Sequence, residues 1–157
     1  MRSRKWMLTL APLLVLVVTA MLVLATRPAL ATASLEGVQV SVTKSPLCGC
    51  CEDYIAILRG RGVDVEVIDT EDIAGAKLAF GVPPSAWSCH TTQVGGYAVE
   101  GHVPLEAVER LLSERPKVDG IALAGMPAGS PGMNGTKTAP FQVVAFDARG
   151  VRAFGDY

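Results

Sequence analysis

Residues 38–43, VQVSVT, alternate apolar and polar side chains, the period of a half-buried strand. The pattern then changes. After a turn at Pro46, Cys48 and Gly49, the residues Cys51, Tyr54, Ile55 and Leu58 recur at helical spacing, with Glu52 and Asp53 in the favourable acidic first turn. Gly60 and Gly62 end that helix, and Val63 to Ile68 alternates again as a second strand. A short helix is expected from Glu71 to Phe80, stopping at Gly81-Val82-Pro83-Pro84. Thr91–Val94 and Tyr97–Glu100 flank Gly95-Gly96 as a hairpin. Pro104 then opens a helix whose Leu105, Val108, Leu111 and Leu112 form an apolar stripe. Residues 120–139 are rich in Gly, Pro, Ser and Ala without periodicity and predict a long loop. Phe141–Phe146, a turn at Asp147–Gly150 and Val151–Phe154 read as a terminal hairpin. This order predicts an α/β fold, a mixed β-sheet with helices packed on it, closed by a C-terminal loop and hairpin.

The first 31 residues follow a different rule. Arg2, Arg4 and Lys5 precede an uncharged run from Trp6 to Thr26, and small-x-small sites follow at Ala29–Ala31 and Ala31–Ala33. That is the order of a signal peptide, and the apolar run is also long enough for an uncleaved anchor. Either way the positive-inside rule exports the bulk of the chain. Residues 1–31 are therefore read as a signal or anchor, and 38–156 as the folded domain. From residue 32 onward there are ten basic and fifteen acidic side chains, a formal charge of −5. No Lys/Arg cluster interrupts that acidic balance, which argues against a nucleic-acid partner. Membrane association is expected only if the N-terminal segment stays uncleaved.

Cysteine usage sharpens the picture. Three of the four cysteines, Cys48, Cys50 and Cys51, fall within four positions, and only Cys89 is distant. Two structural disulfides do not fit that spacing. Three readings remain open: one structural disulfide from Cys89 to the cluster, dithiol–disulfide exchange, and soft-metal binding. The only C-x-x-C is Cys48-Gly49-Cys50-Cys51, and its extra cysteine helps a metal more than it helps exchange. Placed between a strand and a helix start, these sulfurs would meet orphan backbone N–H groups and the positive helix end, which favour thiolate.

A cysteine-led helix after the first strand of a mixed sheet is the layout of thioredoxin-like domains. In that layout a segment before a later hairpin packs on the cysteine loop, and here that segment is Trp87-Ser88-Cys89-His90-Thr91. KSPLCGCC (44–51), GVPPSAWSCHTTQVGGYAVEGHVP (81–104) and GMPAGSPGM (125–133) together resemble the CopG-like family of small exported proteins associated with copper resistance. The resemblance spans about residues 38–156. It implies a thioredoxin-like fold, a periplasmic location, and thiolates bridging several copper ions, with a role in copper redox cycling. It also implies metal ligation by Cys48, Cys50, Cys51 and Cys89, with His90, Met126 and Met133 as further candidates. Other periplasmic copper-resistance proteins would be its partners. The stretch NGTKTAP after Met133 diverges from the family's pattern.

Elementary chemistry agrees in kind, since thiolate and thioether are soft donors suited to Cu(I). His102, in EGHVP, reads most simply as a turn residue before the helix, with a role near the metal as the alternative. Lys44 and Asp53 read as solvated, although Lys44 could lower a nearby thiol pKa. The expected function is periplasmic Cu(I) binding in copper resistance. The alternatives are a thiol–disulfide oxidoreductase and a disulfide-stapled interaction module.

Overall fold

The computed structural model describes residues 34–157; the signal or anchor segment lies outside them. Strand β1 (Gln39–Lys44) leads to helix α1 (Gly49–Gly60) and strand β2 (Asp64–Asp69). Helix α2 (Ile73–Ala79) and a 3₁₀ turn (Pro84–Ala86) precede the hairpin β3 (His90–Val94) and β4 (Tyr97–Glu100). Helix α3 (Leu105–Glu114), β5 (Gly120–Ala122), β6 (Gln142–Asp147) and β7 (Gly150–Asp156) complete the chain. The strands form one mixed sheet in the order β2-β1-β3-β4-β5-β6-β7. Strands β1/β2 and β4/β5 pair parallel, and the other neighbours pair antiparallel. The expected mixed sheet with helices packed on it, a thioredoxin-like arrangement, is what the chain forms, and the sheet is open.

Strand alternation sends successive side chains to opposite faces, and both faces are covered. Tyr54, Ile55 and Leu58 of α1 and Leu105, Val108 and Leu111 of α3 share one core with Val42, Val99, Ile121, Val143 and Ala145. The intervening sheet residues Ala98, Ala122, Val144 and Phe146 pack with Phe80, Val82, Ala86 and Trp87 on the other side. At about 25 cal/mol per Å² of apolar surface, such two-sided burial is the main force holding the layers together.

Two expectations are corrected. Residues 120–139 are not all loop, because Gly120–Ala122 is a buried strand between β4 and β6. Three residues are too few to show periodicity, and the strand exists through pairing on both sides. Lys44 is not solvated either. Its side chain is 2% exposed, and its Nζ lies 2.7 Å from Glu52 and 2.8 Å from Asp69. The turn after β1 folds α1 back over the end of the strand, so the ammonium is enclosed and its carboxylate partners supply its neutralisation. Those partners also raise its pKa, Asp69 foremost and then Glu52. Among the described residues no helix is long and apolar enough to cross a membrane.

Candidate metal centre

Helix α1 begins where the sequence turns sulfur-rich. Cys48 is its N-cap residue, making no side-chain cap hydrogen bond, and Cys50 and Cys51 lie in its first turn, at the positive end of the helix dipole. Cys51 is fully buried; Cys48, Cys50 and Cys89 are half-buried. Cys48 and Cys51 are joined as a disulfide, while Cys50 and Cys89 are free. The structural disulfide open to the sequence reading, between Cys89 and one of the other three, is therefore not the one formed. One helical turn separates Cys48 from Cys51, so they bond locally and leave the distant thiol unpaired.

Sheet pairing brings Cys89 to the cluster. Strand β3 runs antiparallel to β1 with His90 opposite Lys44, so the residue before His90 lands beside the turn that opens α1. Cys89 Sγ lies 3.9 Å from Cys50 Sγ, which is 3.6 Å from Cys48 Sγ. All four sulfurs lie within 4.8 Å of one another. A group this close can be bridged by a soft cation once the disulfide is reduced.

Cys89 also belongs to a second donor group, with His90 and His102. His90 Nδ1 is 3.3 Å and His102 Nε2 2.8 Å from its sulfur. Both rings are buried, and Tyr54 packs against them with centroids 4.8 and 5.6 Å away. The Tyr54 hydroxyl donates to Val103 O at 2.9 Å, fixing the ring. His102 Nδ1 is 2.7 Å from Pro131 O. A carbonyl only accepts, so Nδ1 carries the proton and the Nε2 lone pair is left towards the thiol. His90 Nε2 is buried without a hydrogen-bond partner among the described residues. A buried ring nitrogen left without a partner, on an imidazole that lies against the Cys89 thiol and His102, fits a metal better than it fits a finished apolar core.

The electrostatics keep these groups neutral in the metal-free protein. Burial, reinforced by the neighbouring Cys50, pushes the Cys89 thiol up to about 12, against weaker opposing pulls from Ser88 and Lys77. Burial, together with His102 and Lys77, holds His90 down to about 3. Burial also lowers His102, partly offset by the Pro131 carbonyl and Asp53. Imidazoles that stay neutral are available as ligands, and a thiol that holds its proton gives it up only to something that replaces its charge.

For His102 the sequence offers a turn residue first and a role near the metal as the alternative; the structure puts it in the bend after β4 with its ring against Cys89, so it is a wall of the site as well. The signal was present. With Val94 opposite Tyr97 across Gly95-Gly96, the hairpin register continues to Cys89 opposite His102. Met126 and Met133 lie on a loop whose backbone reaches the centre between them. Gly132, at φ +79°, sits so close to α1 that a Cβ would lie 2.7 Å from Tyr54 N. Pro131 is the residue that holds His102. Met126 is 55% exposed, and Met133 is half-buried.

Comparison with known proteins fits this geometry. A family model described as a protein of unknown function, DUF411, matches residues 86–133, which include Cys89, His90 and His102. No curated protein matches. Two solved structures, described as copper resistance protein copG in Form 2 and Form 1, are each 38% identical with a TM-score of 0.71. Each match covers 78% of this chain, and 99% and 98% of the respective solved chains. With identity at that level over nearly the whole of those chains, this protein belongs to the CopG family of copper-resistance proteins.

Proposed function

We propose that the chain is an exported, periplasmic copper-binding protein that holds Cu(I) through Cys48, Cys50, Cys51 and Cys89. The single observation that carries this reading is the convergence of four sulfurs within 4.8 Å. His90 and His102 extend the donor set through Cys89, so its sulfur is the natural bridge between metal ions bound in the two groups. Met126 and Met133 are further candidate soft donors from the covering loop. Cu(I) suits these donors because thiolate, thioether and imidazole are soft or intermediate, whereas the hard Mg²⁺ seeks oxygen. Other periplasmic copper-resistance proteins are the partners this role calls for, as donors or acceptors of the ion.

Binding by all four cysteines requires an external thiol reductant to open the Cys48–Cys51 disulfide by supplying two electrons and two protons, and the two thiols formed release their protons as the metal binds. The test is a competition titration of the reduced, metal-free protein with a chromophoric Cu(I) chelator, with proton release followed at constant pH. Tight Cu(I) binding with release of protons supports the proposal. Stabilisation by Mg²⁺ equal to that by Cu(I), or no Cu(I) binding, sinks it.

One observation favours a second reading. A C-x-x-C disulfide at a helix start, with a third thiol 3.6 Å from one of its sulfurs, is also the arrangement of a thiol–disulfide oxidoreductase. Rapid reduction of a protein disulfide by the reduced chain, combined with absent Cu(I) binding, would select it.

A further inference from the structure

A buried ionic cluster lies directly behind Cys89. Glu100 is fully buried at the end of β4, and Lys77 of α2, 3% exposed at its side chain, places its Nζ 2.5 Å from Glu100 Oε1. The other bonds of that carboxylate go to one short segment. Ser88 N–H donates to Oε1 at 2.6 Å, and Thr91 Oγ1 donates to Oε2 at 2.6 Å. Lys77 Nζ reaches Thr91 Oγ1 as well, at 3.5 Å. The two residues gripped by Glu100 are those that bracket Cys89 and His90.

The grip follows from the sheet. Thr91 and Glu100 are directly opposite in the β3/β4 ladder, so their side chains share a face. Two further ties hold the same segment. Gly101 N–H donates to His90 O at 2.8 Å, and the Ser88 hydroxyl donates to Gly125 O. Gly101 is at φ +78°, and a Cβ there would run into the Ser88 side chain and lie 2.9 Å from Leu123 O, so Ser88 approaches only because this position has no side chain.

A buried ion pair is an expensive way to stabilise a fold, because desolvating both charges offsets most of their attraction. Its best-attested use is to fix one arrangement among several. We propose that Lys77 and Glu100 are positioning residues that clamp the Ser88–Thr91 segment, so that Cys89 is held in register with Cys50 and His102. Oε1 holds one side of Cys89 and Oε2 the far side of His90, while Lys77 neutralises the carboxylate and fixes its orientation. The clamp is a supporting shell for ligands that come from a strand end, where the backbone alone leaves them loose. This inference rests on the metal-centre reading for its purpose, but its geometric content can be tested without metal.

The experiment compares wild type with Lys77→Met, Thr91→Val and Thr91→Ser. In the metal-free form with Cys48–Cys51 oxidised, only Cys50 and Cys89 are thiols, and a bifunctional bromobimane reports whether they stay within bridging distance. Wild type and Thr91→Ser, which keeps the hydroxyl, should cross-link. Lys77→Met and Thr91→Val should give mainly singly alkylated product. In the reduced proteins, Cu(I) affinity should fall about 10- to 100-fold in Lys77→Met and Thr91→Val, and return in Thr91→Ser. Unchanged cross-linking and affinity in both variants, with only a lower melting temperature, would overturn the clamp and leave a purely structural ion pair. Thr91→Val decides the question if Lys77→Met does not fold, since it exchanges one hydroxyl for a methyl and strands no charge on Lys77. If wild type cross-links but binds no Cu(I), the metal reading fails, and the clamp is judged on the cross-link alone.

Discussion

His102 Nε2 lies 2.8 Å from Cys89 Sγ although they are thirteen positions apart, because the Gly101 N–H bond to His90 O carries the β3/β4 pairing one step past its last ladder pair, to the residues next to Cys89 and His102. The Pro131 carbonyl fixes the imidazole proton on the far nitrogen. His102→Ala should therefore weaken Cu(I) binding about tenfold, as expected for losing one oriented donor, and Cys89→Ser should weaken it more. Serine offers a hard, protonated oxygen where a soft, charged sulfur is needed. A chelator-competition titration measures both, and wild-type affinity in Cys89→Ser would break the four-sulfur site.

Acid should destabilise the metal-free protein through His90. Its native pKa is held at about 3, and an unfolded histidine titrates near 6.5. Between these values the unfolded chain binds a proton that the native chain refuses. The stabilising contribution is therefore complete above about pH 6.5 and is lost as pH falls towards 3. His102, Lys77, Cys89 and Tyr54 are the titratable groups facing this ring, and none of them supplies a counter-charge. Lowering the pH from 7.5 to 4.5 should cost about 2–3 kcal/mol through this group. Urea midpoints at the two pH values should draw together in His90→Gln relative to wild type. Equal pH slopes in the two proteins would remove His90 from the account.

Gly132→Ala should act on the centre without touching a ligand. The new methyl meets the α1 backbone at Tyr54, and alanine resists φ +79°. The loop must move away and take the Pro131 carbonyl from His102. A stability loss of about 1–3 kcal/mol is expected, together with weaker Cu(I) binding. Thermal melts and the same competition titration report the two effects, and unchanged behaviour in both would show that the loop does not brace the site.

The amino terminus gives a prediction of its own. The basic start, uncharged run and small-x-small sites at Ala29–Ala33 predict a mature chain beginning near Thr32 or Ser34. Intact mass of protein recovered from a periplasmic extract checks this. A membrane-bound product that retains Met1 would replace cleavage with anchoring and leave export in place.

Long periodic segments were legible in the sequence because their pattern and their packing coincide. Leu105, Val108 and Leu111 recur at helical spacing, and all three are buried. The strand at Gly120–Ala122 was not legible, since its existence depends on β4 and β6 flanking it and not on its own pattern. Lys44 misled for a related reason. A lysine at a strand end suggests solvent, and only α1 folded over that end and β2 paired beside it bring Glu52 and Asp69 to enclose it. The cysteines announced themselves by crowding. His102 did not, because its place depends on hairpin register continued beyond Glu100, and a histidine before a proline-opened helix resembles any other turn residue. The Lys77–Glu100 pair was hidden for the same reason: 23 residues separate partners that only the finished sheet unites.

The donors come from three places in the chain: the start of α1, the residues before and at the start of β3, and the end of the β3/β4 hairpin, with the loop at Pro131 as a fourth support. Their meeting place is a product of sheet assembly, and no contiguous segment carries it. A chain threaded through a membrane in extended form has three neighbouring cysteines to offer and nothing opposite them. Assembly of the candidate centre then has an order imposed on it: strand β3 must dock on β1 before the fourth sulfur arrives, and the hairpin must close before the imidazoles do. Under the export and copper binding proposed above, the chain crosses the membrane without metal, because the candidate centre is assembled only by folding.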